Sequence, residues 1–430
     1  MYLLYSALLA LGLLLSSPYW LWQSLRTGKY RKGFGERLGR VPKRLVREPA
    51  RPVIWVHAVS VGEVLAISDL VQQLRRRHPE YRIVVSTTTD TGQKLAQTRL
   101  GKENVFYFPL DFAFAVRPYL RALKPKLIVI AETEFWMNFL RLAHESRAGI
   151  AVVNARISDR SWRGYRRWRR ILKRALEPVD VFLAQTEEDG RRLVEIGAPP
   201  ERVQVSGNLK FDVTLPDPPP LVPSLRQAFE STKTGPVLVC GSTVEGEESL
   251  LLAAFQSVRQ RFPRAVMLLA PRHPERFSEV ARRLQESGQP FVQRSLWNGE
   301  PLAGTVLLVD SIGELASLYA LADLAFVGGS LVPRGGHNLL EPAASGVAIV
   351  VGPYTENFRD VVLLFQRKNA VRVVRAAELS PVFIALLTDD AERMGLGLRA
   401  AETMRTQQGA TQTTIHVVEG LLEKSAGPDL

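Results

Sequence analysis

Short apolar runs and helical patterns alternate along this chain from residue 53 onward, and the alternation starts a second time after a proline-dense interruption. Strands are expected at 53–56, 83–87, 127–130, 150–153 and 181–184, with a further short one at 203–205. Helical spacing of apolar residues lies between them, as at 64–77 and 162–176. Then comes "LPDPPPLVPS", residues 215–224, whose prolines favour an extended linker. Beyond it, "PVLVCGSTVEGEESLLLAAF" opens the pattern again: a buried strand, a Gly/Ser turn and a helix with acids in its first turn. Further strands are expected at 266–269, 306–309, 324–327 and 348–351. A chain that alternates in this way folds into a mostly parallel sheet with helices on both faces.

Two such series imply an α/β protein of two Rossmann-like domains, 26–214 and 225–388, joined by the linker and facing each other across a cleft. Clefts of that kind are favoured ligand sites. The stretch 389–430 is expected to be helical and to return to brace the first domain. With 430 residues the chain can bury two cores without staples, and its single cysteine, Cys240, excludes an intrachain disulfide and suits a reducing compartment. The charge balance is +13, which points to an acidic partner: nucleic acid, anionic lipid or a phosphorylated small molecule.

Residues 1–25 carry no charged side chain, and "YLLYSALLALGLLLSSPYWLW" is about as long as the ~20 residues that cross a bilayer. A signal peptide would need a basic start and a small-residue cleavage site, and neither is present. Pro18 leaves a tilted or re-entrant anchor open. Tyr19, Trp20 and Trp22 resemble an interfacial aromatic belt, and Arg26, Lys29, Arg31, Lys32 and Arg37 follow at once. The positive-inside rule then puts the body of the protein in the cytoplasm. A membrane-anchored cytoplasmic protein is the expectation.

Chemistry concentrates at strand–helix junctions. In "WVHAVSVGEVLA", residues 55–66, Glu63 stands where a strand hands over to a helix. It is either an acid placed to suit the positive end of the helix dipole or a residue facing the crevice beyond a strand end. "VIAETEFWMNF" sets Glu132 and Glu134 beside Phe135 and Trp136, as a pair with raised pKa values or a solvated one. "SGNLKFD" brings Lys210 near the cleft. "LLAPRHPERF" puts Arg272 and His273 directly after a strand, where a guanidinium could pair with phosphate or simply occupy a surface turn.

In "FVGGSLVPRGGHNLLEPAASG", Gly328, Gly329, Gly335 and Gly336 precede His337, Asn338 and Glu341. Such a loop lets backbone N–H groups approach a phosphate, and Glu341 can accept from ribose hydroxyls; a tight structural turn is the plainer reading. Neither a GxxxxGK[ST] loop nor a GxGxxG fingerprint occurs, which argues against an ATPase or a dehydrogenase. "SWRGYRRWRRILKR", residues 161–174, interleaves Trp162, Tyr165 and Trp168 with Arg and Lys, as a solvated helix, a nucleic-acid patch or a membrane-surface helix. No metal is expected, since the six histidines are scattered and HExxH, CxxC and DxD patterns are missing.

In order along residues 55–360, "HAVSVGEVLA", "AETEFWMN", "GNLKFD", "APRHPERF", "DSIGELASLYALADLAFVGGS" and "RGGHNLLEPAASG" resemble the 3-deoxy-D-manno-octulosonic acid (Kdo) transferases of Gram-negative lipopolysaccharide assembly. The resemblance implies a GT-B glycosyltransferase anchored by residues 1–25 at the cytoplasmic side of the inner membrane. It implies inverting transfer of Kdo from CMP-Kdo to the lipid A precursor lipid IVA, with no cofactor and no catalytic metal. By motif, Glu63 matches the general base, and Glu132 (with Glu134 the neighbouring candidate) and Lys210 match groups that stabilise the transition state. Pro271 and Arg272, Ile312, Gly313 and Glu314, and Asn338, Leu339, Leu340 and Glu341 match the donor-nucleotide contacts. Leu339 departs from the proline expected there in many relatives. The implied partners are CMP-Kdo, lipid IVA and an anionic membrane surface, without nucleic acid. Two other readings stand beside this one: a GT-B transferase using a UDP-sugar and a lipid acceptor, and a membrane-tethered nucleic-acid binder.

Overall fold

The computed structural model describes residues 1–27, 33–46, 51–212 and 217–425, the side chains of 19–27 and 425 excepted. Lys29, Arg31 and Lys32 of the expected basic cluster, and Leu215 and Pro216 of the linker, lie outside the described residues, as do the side chains of Tyr19, Trp20, Trp22 and Arg26. The chain forms two compact units, Met1–Asp212 with Gln407–Leu430, and Val213–Thr406.

The first unit is built on a parallel sheet of β1 (Val53–His57), β2 (Arg82–Thr87), β3 (Val105–Tyr107), β4 (Pro125–Ala131), β5 (Gly149–Ala155), β6 (Val181–Ala184) and β7 (Val203–Val205), ordered 3-2-1-4-5-6-7. Side chains alternate across a strand, so β1 sends Trp55 to one core and Ile54 and Val56 to the other. Both faces are covered, which is why the central strands read as unbroken apolar runs. The helix Ala410–Ser425 closes the second face with Ile415, Val418 and Leu422. Asp212 receives the N–H of Gly409 at 2.7 Å and that of Thr411 at the start of this helix.

The second unit holds β8 (Val237–Thr243), β9 (Val266–Pro271), β10 (Phe291–Gln293), β11 (Val306–Leu308), β12 (Leu324–Val327), β13 (Ala348–Val351) and β14 (Arg372–Val373), in the parallel order 10-11-9-8-12-13-14. Three strands were not foreseen: β3, β10 and β14. Each is an edge strand of two or three residues, too short to display a period.

The extended linker expected at 215–224 gives way at Leu221 to a helix, Leu221–Thr232, which buries Leu221, Val222 and Leu225. Three further expectations are corrected. The segment 389–430 is not one separate piece. Its first helix, Asp390–Arg405, belongs to the second unit, where Gly397 lies so close to the chain that a Cβ there would come 2.1 Å from the carbonyl oxygen of Gly346. The helix expected over 162–176 is broken at Trp168 into Asp159–Arg167, with no buried residue, and Arg169–Leu176, which buries Leu172, Ala175 and Leu176.

The third concerns the anchor. Residues Tyr2–Thr27 are helical, but among the described residues no helix is long and apolar enough to cross a membrane. Its first turns are tied to the first unit instead. Tyr5 donates its hydroxyl to Asp111 at 2.9 Å, Asn138 donates to Ser6 Oγ at 3.0 Å, and the Arg141 guanidinium lies 4.8 Å over the Tyr2 ring. Those polar ties hold the start of the helix against protein, while Leu3, Leu4, Leu8, Leu14 and Leu15 remain exposed.

Candidate active site

In open α/β sheets a ligand crevice opens where the strand order reverses. In the first unit that point lies between β1 and β4. Ser60 caps the helix Val61–Arg77 and accepts the Glu63 N–H at 3.4 Å. The Glu63 carboxylate in turn accepts the Val59 N–H at 2.8 Å and the Ser60 hydroxyl at 2.9 Å. Ser60 and Glu63 have the spacing of a capping box, but the carboxylate takes the N–H of Val59, one residue before the cap, instead of that of Ser60. Burial and the nearby charge of Glu132 nevertheless push the Glu63 carboxyl up to about 7, against the opposing pull of its hydrogen bonds. His57, at the end of β1, is buried, stacks on Phe108 with ring centres 3.9 Å apart and bonds Ser86 Oγ at 2.9 Å. Burial lowers its pKa to about 3, so the ring stays neutral.

Glu132 follows β4 in the left-handed region, at φ 58°. A non-glycine residue there costs about 1–3 kcal/mol, and such strain clusters at functional sites. Lys210 reaches it from a short turn, Leu209–Phe211, with Nζ 3.9 Å from a Glu132 oxygen. The turn is set by two asparagines. Buried Asn154 accepts the Leu209 N–H at 3.0 Å, and Asn208 accepts the Lys210 N–H at 3.0 Å. Asn154 went unnoticed in the sequence, which offers only an isolated asparagine in an apolar strand. The Glu134 carboxyl is also raised, first by burial and then by Glu132. Glu63, Glu132, Glu134 and Lys210 thus form one cluster: three carboxyls, two of them raised, and one cation. A buried carboxyl tuned near neutrality can exchange a proton with a hydroxyl group.

In the second unit the reversal lies between β8 and β12. Gly329 adopts φ 70°, and a Cβ there would come 2.7 Å from the His337 ring, so the loop 328–337 folds onto itself. The N–H of Gly336 donates to Gly329 at 2.7 Å. Asn338 accepts the Leu340 N–H and donates to Glu341 Oε1, both at 3.1 Å, which aims the Glu341 carboxylate. His337 is lowered to about 4, first by burial and then by the charges of Arg272 and His273 on the loop after β9.

The structure joins Asn338 to Glu341 by a hydrogen bond and leaves the Arg272 charge within reach of His337, while two of the expected side chains take no part. Leu339 and Leu340 are buried in the core, leaving only their backbone to a ligand. The 312–314 turn presents exposed Ile312 and Gly313 at φ 92°, whereas Glu314 is engaged by the Arg294 guanidinium at 2.7 and 2.8 Å. A correction applies to the glycine loop itself. The N–H groups of Gly329, Ser330 and Leu331 all donate to buried Glu247, so they are not available to a phosphate. Among the described residues, no group of three or more His, Cys, Asp or Glu side chains is placed to hold a metal ion.

A family model described as 3-deoxy-D-manno-octulosonic-acid transferase (kdotransferase) matches residues 32–213. The chain is 33% identical over 408 residues to a 3-deoxy-D-manno-octulosonic acid transferase of Haemophilus influenzae, covering 94% of both chains. It is 36% identical over 416 residues to one of Bordetella pertussis, covering 94% of this chain and 95% of the relative. Its fold is similar to that of S. aureus MnaA solved with UDP, at a TM-score of 0.52 and 11% identity, over 87% of this chain and 97% of the other. That likeness shows a GT-B-like pair of Rossmann-like units.

Proposed function

Because this chain belongs to the 3-deoxy-D-manno-octulosonic acid transferase family and is a Kdo glycosyltransferase, we propose that it moves Kdo from CMP-Kdo to lipid IVA with inversion, using Glu63 as the general base. The observation that carries this reading is the Glu63 carboxyl, raised to about 7 beside Glu132 and Lys210. A sugar hydroxyl is a poor nucleophile. A positioned base that takes its proton as the new bond forms contributes about 10²–10⁴-fold, most effectively when its pKa lies near the working pH. In this scheme the hydroxyl oxygen attacks the anomeric carbon, the bond to CMP breaks, and the proton passes to a Glu63 oxygen. Lys210, paired with Glu132, supplies positive charge to the transition state without a metal.

The donor is read onto the second unit. Arg272 is exposed and makes no ion pair among the described residues, so its guanidinium is open to the CMP phosphate. Glu341 accepts from the ribose hydroxyls, and the backbone at 312–314 borders the nucleotide.

The membrane enters as a surface rather than a span. The exposed leucines of the N-terminal helix, and the groove lined by Trp162, Arg163, Arg166 and Arg167, suit the interface of an anionic bilayer on the cytoplasmic side of the inner membrane. Sedimentation with anionic vesicles at low salt tests this, and a chain left in the supernatant overturns it. For the reaction, lipid IVA is incubated with the full chain and freshly generated CMP-Kdo and weighed by mass spectrometry. Addition of Kdo is expected, while an unchanged acceptor, or transfer only from a UDP-sugar, refutes the reading.

A further inference from the structure

Two side chains of the second unit have no part in the chemistry above, yet both are wholly buried acids. Glu247 and Glu248 stand side by side where β8 gives way to the helix Glu248–Arg261. A buried carboxylate is tolerated only when its oxygens are answered, and a buried ion pair is weak evidence of net stabilisation. What answers each of these two therefore says what it is for.

The Glu247 carboxylate accepts four backbone N–H groups. One, from Val244 at 3.0 Å, belongs to its own turn. The other three are consecutive and come from the loop after β12: Gly329 at 2.7 Å, and Ser330 and Leu331 at 2.9 Å each. Successive N–H groups converging in this manner form a concavity that elsewhere receives an anion. Here an internal carboxylate fills it. The fit is close, since a Cβ on Gly328 would lie 2.8 Å from a Glu247 oxygen.

Glu248 faces the other way. It accepts the Thr243 hydroxyl at 3.1 Å and receives both ends of the Arg276 guanidinium, at 2.6 and 3.2 Å. Arg276 belongs to the loop after β9 that carries Arg272, and the Arg272 N–H donates to the Thr243 carbonyl at 2.9 Å. One acid holds the loop that leads to His337, Asn338 and Glu341, and its neighbour holds the loop that carries Arg272.

We propose that Glu247 and Glu248 are positioning residues that clamp the 328–337 and 271–276 loops to the end of β8 and so shape the donor-nucleotide site before the nucleotide arrives. This rests on reading those loops as the donor site. Neither acid touches the nucleotide.

The test uses the full chain and CMP as the probe. Glu247→Gln and Glu248→Gln are compared with Phe383→Leu, a buried core change that removes none of the hydrogen bonds to these loops, at a temperature below all three thermal midpoints. The clamp predicts a tenfold or greater loss of CMP affinity in calorimetry, and a matching rise in KM for CMP-Kdo at near-constant kcat. Phe383→Leu should lower the midpoint while CMP affinity is kept. A Gln variant that loses midpoint but binds CMP like wild type overturns the clamp. Arg272→Ala and Glu341→Ala separate this from the donor reading. If they bind CMP normally while the Gln variants do not, Arg272 and Glu341 are not the nucleotide contacts, and the clamp on the loops stands without them. Should the Gln variants not fold, hydrogen exchange on the wild type decides: the 329–331 amides are expected to be protected without CMP, and protection that appears only after CMP is added refutes the proposal.

Discussion

The two sheets put an acid at the same place, after their first strand and beside the point where strand order reverses. In the first unit it is Glu63, and in the second Glu247. Burial raises both carboxyls above the usual range. Their partners differ. Glu63 is answered by Val59 and Ser60, both from its own turn, and lies within reach of the Glu132 charge. Glu247 is answered by four backbone N–H groups, three of them from another loop. A second contrast accompanies the first. Where the neighbouring strand ends, each chain turns through the left-handed region, with Glu132 in one unit and Gly329 in the other. One sheet accepts strain to place a side chain, and the other uses glycine to let backbone and His337 approach. Position in the fold offers a role, and the surrounding donors decide which one is taken.

Several variants would break or sharpen that contrast. The largest effect is expected from Glu63→Gln, which keeps the size of the side chain but cannot take a proton. Turnover should fall about 10²–10⁴-fold while CMP affinity stays near wild type. Full turnover with a lowered thermal midpoint would make Glu63 a second brace and remove the difference between the units.

The same variant carries a pH signature. The folded carboxyl titrates at about 7 against 4.5 in the ordinary state, so the folded chain holds this proton more tightly than the unfolded one. Its contribution is therefore complete below about 4.5 and lost as pH rises through about 7. Relative to Glu63→Gln, the wild type should lose up to roughly 3 kcal/mol between about pH 4.5 and pH 8. Urea unfolding at both ends measures this, and a constant gap would contradict it.

On the other sheet, Glu341→Ala should weaken CMP about tenfold or more by calorimetry, since a hydrogen bond to a charged group is worth roughly 1.5–3 kcal/mol. Turnover at saturating donor should persist; if turnover falls and affinity does not, Glu341 belongs with the chemistry. The smallest effects concern the two left-handed residues and have opposite signs. Glu132→Gly should raise stability by about 1 kcal/mol while lowering turnover, and Gly329→Ala should cost about 1 kcal/mol or more. Thermal midpoints that fall in both variants would end the parallel.

Much of this architecture could be read in advance, for reasons that also mark where reading stops. The central strands are buried on both faces and so appear as continuous apolar runs, whereas β3, β10 and β14 at the edges offer two or three residues each. Glu63, Glu132 and Lys210 could be singled out by motif, but the Asn154 bridge that sets the Lys210 turn is a tertiary contact with no local signal. Glu247 and Glu248 could be seen as first-turn acids, without any hint that each reaches a different loop. Hydropathy makes residues 1–25 read as a membrane span, because the hydrogen bond from Tyr5 to Asp111 leaves no trace in the order of residues.

The return of the chain to its first unit has a consequence for synthesis. The second unit, Val213–Thr406, is continuous, while the first needs residues on both sides of it. A ribosome therefore completes the second unit before it has made Ile415, Val418 and Leu422, and the face formed by Ile54, Val56 and Val129 must wait for them. Asp212, two residues beyond Lys210, likewise finds its partners Gly409 and Thr411 only then. A message interrupted after residue 406 would leave Asp212 without these partners and one face of the first sheet uncovered, so the first unit is finished last although it is begun first.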